Sequence, residues 1–369
     1  MKGKERIQMV KDKALDIACQ MCDTMIRKFP QAKDLPPRGL FHYHQGVFLS
    51  GMLETYRLTG REKYYDYIKS WVDSIIQPDG SIVKYDPTRL DDIQPGILLF
   101  TLYDKTGDER YKTALNTLIG ILEKWKKNDK GGFWHKECHP NQMWLDSLYM
   151  AGQILTEYAN YSGETKYMDE AVNQAIIMYD NMLKKENGLM YHAWDMSKAE
   201  TWADAQTGLS PEVWGRAQGW YILSILIILS FMPKSHPKRE RLTEIALQLF
   251  EPIIKYRDES TKMWYQVVDK GNCAGNWIET SCSCLFTAAI AKAVNNHILG
   301  DEYKTYVSEC FDAVCSGIGR SGDDVIVNNV CVGTGVCDYE GYIERPTSEN
   351  DLHGVGAFLL MCTEAAKMN

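Results

Sequence analysis

Ile7, Val10, Ala14, Ala18, Met21, Met25 and Phe29 recur at three- and four-residue steps, the period of a helix with one apolar stripe. Pro30, Pro36 and Pro37 follow and end it. The same period runs down the chain in two alternating kinds of segment. One kind is amphipathic and carries most of the charge. The other is poor in charge and rich in Gly, Ala and Ser: QGVFLSGML, PGILLFTLY, DSLYMAGQIL, RAQGWYILSIL, SCSCLFTAAIA and HGVGAFLLM. Small residues allow close backbone approach, as crowded inner helices require. The pattern predicts twelve helices in six pairs: 6–29 with 42–58, 61–76 with 92–106, 108–127 with 143–161, 164–184 with 213–231, 237–256 with 277–299, and 302–317 with 351–367.

A repeat supports the pairing. LTGREKYYDYI, KTGDERYKTAL, YSGETKYMDEA and ILGDEYKTYV each place a Gly at the end of one helix, an acidic residue early in the next and a Tyr soon after. Gly is the usual left-handed cap, and acidic first turns suit the helix dipole. Gly60, Gly107 and Gly163 recur at steps of about fifty residues, and Gly300 follows after about two more steps, with Pro233–Pro237 breaking the chain between. The expected fold is therefore all-α: an (α/α)6 barrel, six outer helices around six inner ones, with a few short strands in loops. Candidate strand pieces are GGFW, GLMYHAW, KMWYQVV and DDVIVNN. No linker rich in Pro, Gly or Ser divides residues 1–369, so one catalytic domain is expected.

Composition narrows the function. Hydrophobic residues make up 45% and charged residues 24% of the chain, ordinary for a globular protein. A net charge of −8 argues against nucleic acid as a partner. YILSILIILSFM (221–232) is too short for a membrane span, and charges interrupt the N-terminal segment too often for an export signal. Eleven cysteines, an odd and scattered set, read as reduced thiols in a cytoplasm. His135, Cys138 and His139, and the Cys282/Cys284 pair, match no usual zinc spacing. There is no GxGxxG, P-loop or GxSxG sequence. No metal and no cofactor are expected.

In an up-down ring the inner helices run parallel, so their N-termini meet at one rim. That rim carries Phe41-His42-Tyr43-His44, Leu90-Asp91-Asp92, Gln142 to Asp146, Glu212 to Trp220, Asn276 to Ser281 and Asn350 to His353. Carboxylates move protons, Arg binds a carboxylate in bidentate fashion, and helix N-termini favour anions. Each residue also has a plain structural reading. Asp92 and Asp351 suit helix N-caps. Trp144, Trp214 and Trp220 taken singly suit a core, but at the rim they suit sugar stacking. Asp146 follows Trp144 and Leu145 inside an apolar run, where a cap is unnatural and a catalytic acid is not; Asp91 is its candidate partner. Arg216, between Gly215 and Ala217, suits an anion site better than a buried ion pair, with His135 or Lys136 as the fallback. His192 sits in a hairpin-like loop.

LDDIQPGILLF (90–100), PNQMWLDSLYMAGQIL (140–155), MYHAWD (190–195) and WGRAQGWYILSI (214–225) together resemble glycoside hydrolase family 105, the unsaturated rhamnogalacturonyl hydrolases. The resemblance runs from about residue 40 to 365 and extends to the related unsaturated glucuronyl hydrolases. It implies removal of a 4,5-unsaturated galacturonyl residue from lyase-generated rhamnogalacturonan oligosaccharides by hydration of the C4=C5 bond. By the same resemblance Asp146 is the general acid and base, Asp91 assists, and Tyr43, Trp144, His192, Trp214, Arg216 and Trp220 bind substrate, with His135 nearby. Phe41 stands where the family would have Trp. Burial beside Trp144 and proximity to Asp91 are expected to raise the pKa of Asp146.

Three rivals remain at this stage. A sugar epimerase on the same barrel would use rim histidines such as His44, His192 and His353. An ordinary glycosidase would use Asp91 and Asp146 across the anomeric carbon. A helical-repeat scaffold would lack the Trp, Asp and Arg cluster.

Overall fold

Residues 3–368 are described in the computed structural model. Twelve long helices are α1 (Gly3–Lys28), α2 (Tyr43–Thr59), α3 (Glu62–Asp73), α4 (Ile97–Thr106), α5 (Glu109–Glu123), α6 (Gln153–Ser162), α7 (Thr165–Met182), α8 (Gly215–Phe231), α9 (Arg239–Lys255), α10 (Thr280–Asn295), α11 (Tyr303–Gly317) and α13 (Leu352–Ala366); α12 (Tyr339–Ile343) is a single short turn. Inner neighbours pack in sequence, α2 on α4, then α6, α8, α10 and α13, and α13 returns to α2. The ring is closed, an (α/α)6 barrel. Each outer helix, α1, α3, α5, α7, α9 or α11, packs on an inner partner.

The two helix types differ in burial as their composition requires. α3 buries one stripe, Tyr64, Tyr65, Tyr67, Ile68, Trp71 and Val72, and turns its charges to water. α8 buries nearly its whole length from Gly215 to Leu229, because it is covered on every side. The α2–α13 seam depends on small residues. A Cβ on Gly356 would stand 2.5 Å from the Val47 carbonyl carbon, and one on Gly51 would stand 2.6 Å from Leu359 Cβ.

Gly60, Gly107 and Gly163 cap α2, α4 and α6 in the left-handed conformation, with φ of 66°, 65° and 76°. Gly300 does not cap α10. That helix ends at Asn295, and His297 takes the positive φ of 57°.

Two inner helices start later than their periodicity predicts. Instead of a helix from 92, 3-10 turns at Leu90–Asp92 and Gln94–Gly96 precede α4; Pro95 lacks the N–H a longer helix would use. Instead of a helix from 143, the chain forms strand β1 (Gln142–Trp144), then a π-helical turn at Leu148–Gly152 leading into α6. The other strands are β2 (Leu183–Lys184), β3 (Leu189–Met190), β4 (Ala193–Asp195), β5 (Gly319–Ser321), β6 (Asp324–Ile326), β7 (Val330–Cys331) and β8 (Thr347–Ser348). They form four two-stranded antiparallel ribbons, β1–β4, β2–β3, β5–β6 and β7–β8. GLMYHAW and DDVIVNN thus contribute strands, whereas GGFW and KMWYQVV make only isolated bridges. All eleven cysteines are free. Among the described residues no helix is long and apolar enough to cross a membrane.

Candidate active site

The N-terminal rim of the inner ring surrounds a cavity of about 370 Å³. Its wall takes His42, Tyr43 and His44 from the start of α2, Asp91 from the first 3-10 turn, Trp144 and Asp146 from the β1–α6 passage, Trp214, Arg216 and Trp220 from α8, and Gly333 to Gly335 from a late loop. His135, Lys136 and His139 complete it. Of the site residues that the family resemblance implies, His192 stands behind the wall, in contact with Asp146.

The β1–β4 ribbon sets that contact. Trp144 pairs with Ala193, and the Leu145 N–H donates to the His192 carbonyl at 3.0 Å. Asp146, two residues past the end of β1, thereby comes against His192, the residue before β4, with Nε2 3.2 Å from Oδ2. The other ring nitrogen, Nδ1, lies 2.5 Å from the Tyr342 hydroxyl. Tyr342 is fully buried, and burial pushes its phenol pKa far up. A phenol held protonated donates to Nδ1, which leaves the Nε2 proton for Asp146. Sequence reading missed Tyr342. It lies on the short α12, with no periodic pattern to place it.

The expected rise in the Asp146 pKa is not what this setting produces. Burial does push it up. The hydrogen bond from His192, with the positive influence of His192, His135 and Arg216, outweighs that, and the carboxyl lies below its ordinary value. Asp91 is also ionised. Burial raises its pKa, but His135, Lys136 and His42 together bring it down to about 2. Lys136 Nζ is 2.9 Å from Asp91 Oδ2, and His135 Nε2 is 3.7 Å from Oδ1. His135 itself is pushed down to about 4, mainly by burial. It stacks on Trp144 at 4.3 Å and 17°, and its Nδ1 meets Ser147 Oγ at 3.0 Å. Lys136, read from sequence only as a fallback anion site, is thus the ion-pair partner of Asp91.

Arg216 is buried with two of its donors on backbone carbonyls, Cys331 at 2.6 Å and Val332 at 2.9 Å. Its guanidinium covers the Trp214 ring at 4.4 Å. Among the described residues no carboxylate lies within ion-pair distance of it, so its charge is solvated by carbonyl dipoles and left available to an anion in the cavity. The three tryptophans reach the wall as buried residues, 7%, 2% and 1% exposed for Trp144, Trp214 and Trp220. His135 and His139 stack on Trp144, and Arg216 occupies a face of Trp214. Ring faces of Trp144 and Trp214 thus carry protein neighbours, while all three tryptophans line the cavity. Phe41 is core, stacked on Trp71 at 5.8 Å. Asp351 does stand at the N-cap position of α13, but neither its side chain nor that of Asp92 caps a helix. Asp92 accepts from the Asp86 N–H at 2.6 Å, and Asp351 faces His353 and His44.

A closed helical ring with carboxylates, histidines and an unpaired arginine around one rim cavity defines a barrel-type glycoside hydrolase, and the comparisons agree. The chain belongs to Glycosyl Hydrolase Family 88, which matches it over residues 17–369. It is 32% identical to a solved glycoside hydrolase of family 105 from C. acetobutylicum ATCC 824, over 94% of this chain and 98% of that one, with a TM-score of 0.90. It is 27% identical to the unsaturated rhamnogalacturonyl hydrolase YesR of Bacillus subtilis (strain 168), over 87% of this chain and 88% of that protein. An unsaturated glucuronyl hydrolase from Bacillus sp. GL1 shares the fold at 15% identity, with 96% of each chain covered and a TM-score of 0.70.

Proposed function

We propose that this enzyme removes the 4,5-unsaturated galacturonyl residue from lyase-generated rhamnogalacturonan oligosaccharides by hydrating the C4=C5 bond. The observation that carries the reading is one cavity holding both Asp146, braced by His192, and Arg216, a buried cation with no carboxylate partner among the described residues. The uronate carboxylate docks on Arg216. Asp146 donates its proton to C4, and positive charge develops at C5 beside the ring oxygen. Water adds at C5 and returns its proton to Asp146. The resulting hemiketal opens and releases the neighbouring sugar.

The low pKa of free Asp146 fits this sequence. Arg216 is one of the charges that hold the carboxyl ionised. A bound carboxylate cancels that influence and adds a negative neighbour, and both changes raise the pKa. Substrate docking thereby loads the acid. Asp91, tied to Lys136, stays ionised and anchors the sugar. The galacturonyl choice rests on the YesR relative, and a cytoplasmic reaction, which would fit an imported oligosaccharide, is part of the proposal.

The test follows loss of ultraviolet absorbance by the conjugated double bond, with pectic and glycosaminoglycan lyase digests side by side. Loss with the pectic digest is expected. Loss only with the glycosaminoglycan digest would keep the chemistry and change the substrate. No loss with either, from folded protein, would overturn the reading. Asp146→Asn should lower kcat by about 10²–10⁴-fold with an unchanged melting temperature, and Arg216→Ala should mainly raise KM.

A further inference from the structure

We infer that His44, Asp351 and His353 form a binding site for one divalent transition-metal ion at the edge of the cavity. The three come from the start of α2 and the start of α13, the two inner helices that close the ring. One donor atom from each lies within 4.8 Å of the others. Asp351 Oδ1 stands between the imidazoles, 2.8 Å from His353 Nδ1 and 3.7 Å from His44 Nε2.

His353 supplies the decisive detail. It is fully buried, and its Nε2 lies 3.0 Å from the Cys331 carbonyl oxygen. A carbonyl can only accept, so Nε2 carries a proton, and Nδ1 is the nitrogen left to meet a metal. That Nδ1 makes no hydrogen bond, although Asp351 Oδ1 is close. The oxygen lies off the line a proton on Nδ1 would take. A cation bound to both atoms does not need them in line. With ligand distances of about 2.0–2.2 Å, neighbouring ligands on one ion stand about 3–3.5 Å apart, between the 2.8 and 3.7 Å that separate Asp351 Oδ1 from the two imidazoles.

The surroundings suit a metal. Bound imidazoles nearly always have their second nitrogen engaged. Here the Cys331 carbonyl engages His353, and His42 Nδ1 lies 3.0 Å from His44 Nδ1. Two imidazoles and one carboxylate suit Zn²⁺, Fe²⁺ or Co²⁺ and not Mg²⁺ or Ca²⁺, which want oxygen ligands. His44 lines the cavity, so the remaining coordination positions open toward it. Arg216 opposes a second cation nearby, and three ligands are fewer than a closed structural zinc site has. Affinity is therefore below that of such a site.

None of this depends on the hydration reading. The test strips the full chain with a chelator and titrates it with Zn²⁺ by calorimetry and with Co²⁺ by visible absorption. One ion per chain is expected, with weak Co²⁺ bands and no intense thiolate charge-transfer band. His353→Ala and His44→Gln should each weaken binding by more than about tenfold, with unchanged circular dichroism. His353 is buried, so His44→Gln, at a half-buried position, decides alone if the first variant misfolds. No stoichiometric binding would overturn the site. So would a thiolate band, which would assign the metal to an exposed cysteine such as Cys138 or Cys273, or affinity unchanged in the variants.

Discussion

Tyr342 acts on the site at one remove. Its hydroxyl holds the ring whose far side holds Asp146. Losing it leaves His192 free to change tautomer and turn. A hydrogen bond of this kind is worth about 1 kcal/mol net, so Tyr342→Phe should lower kcat about five- to tenfold while KM changes little. The pH profile of kcat should shift as well, which simple loosening of the fold would not produce. Asp92 makes a separate prediction about stability. Burial, reinforced by Asp91, pushes its pKa up to about 7 from 3.8. The folded state then keeps a proton that the unfolded chain releases, and stability from this group falls as pH rises from about 4 to about 7. Asp92→Asn lacks the titration. Its melting temperature relative to wild type should rise between about pH 5 and about pH 8, and a flat difference would show that Asp92 is ionised in the fold. At this scale sequence reading placed Asp91, Asp146 and Arg216 on one wall. It had the pKa of Asp146 in the wrong direction, because the charges that set it come from residues 135, 192 and 216.

At the scale of elements, the α2–α13 seam is a helix contact that depends on glycine. Gly356→Ala would drive a methyl into the Val47 backbone, which cannot move aside as a side chain could. Overpacking costs about 1–3 kcal/mol, and thermal unfolding should report that loss, with activity falling because His44 and His353 ride on the two separated helices. Helix periods and capping glycines were legible because they are local. β1 was not. QMW continues an apolar helical period, and it becomes strand only because Ala193–Asp195 lies across from it. The π-helical turn that follows absorbs the change of direction, and such turns are frequent at functional sites. The consequence for chemistry is direct, since this strand and turn place Asp146 against His192.

The whole molecule is a ring, and a ring has no spare member. α13 contacts α1, α2, α10 and α11, so it joins both ends of the helical series. Truncation before Leu352 should abolish the cooperative thermal transition, read by circular dichroism, where an open solenoid would lose one terminal repeat and keep the rest. From sequence alone came the helical class, six pairs, the inner and outer assignment and a rim rich in Asp, Trp, His and Arg. All of these follow from periodicity and spacing over a few turns. Only the tertiary structure decided the ionisation of Asp146, the ion pair of Asp91 with Lys136, the backing of His192 by Tyr342 and the grouping of His44 with His353. Each depends on ångström-scale distances between groups on different strands, turns and helices, and ring closure sets those distances.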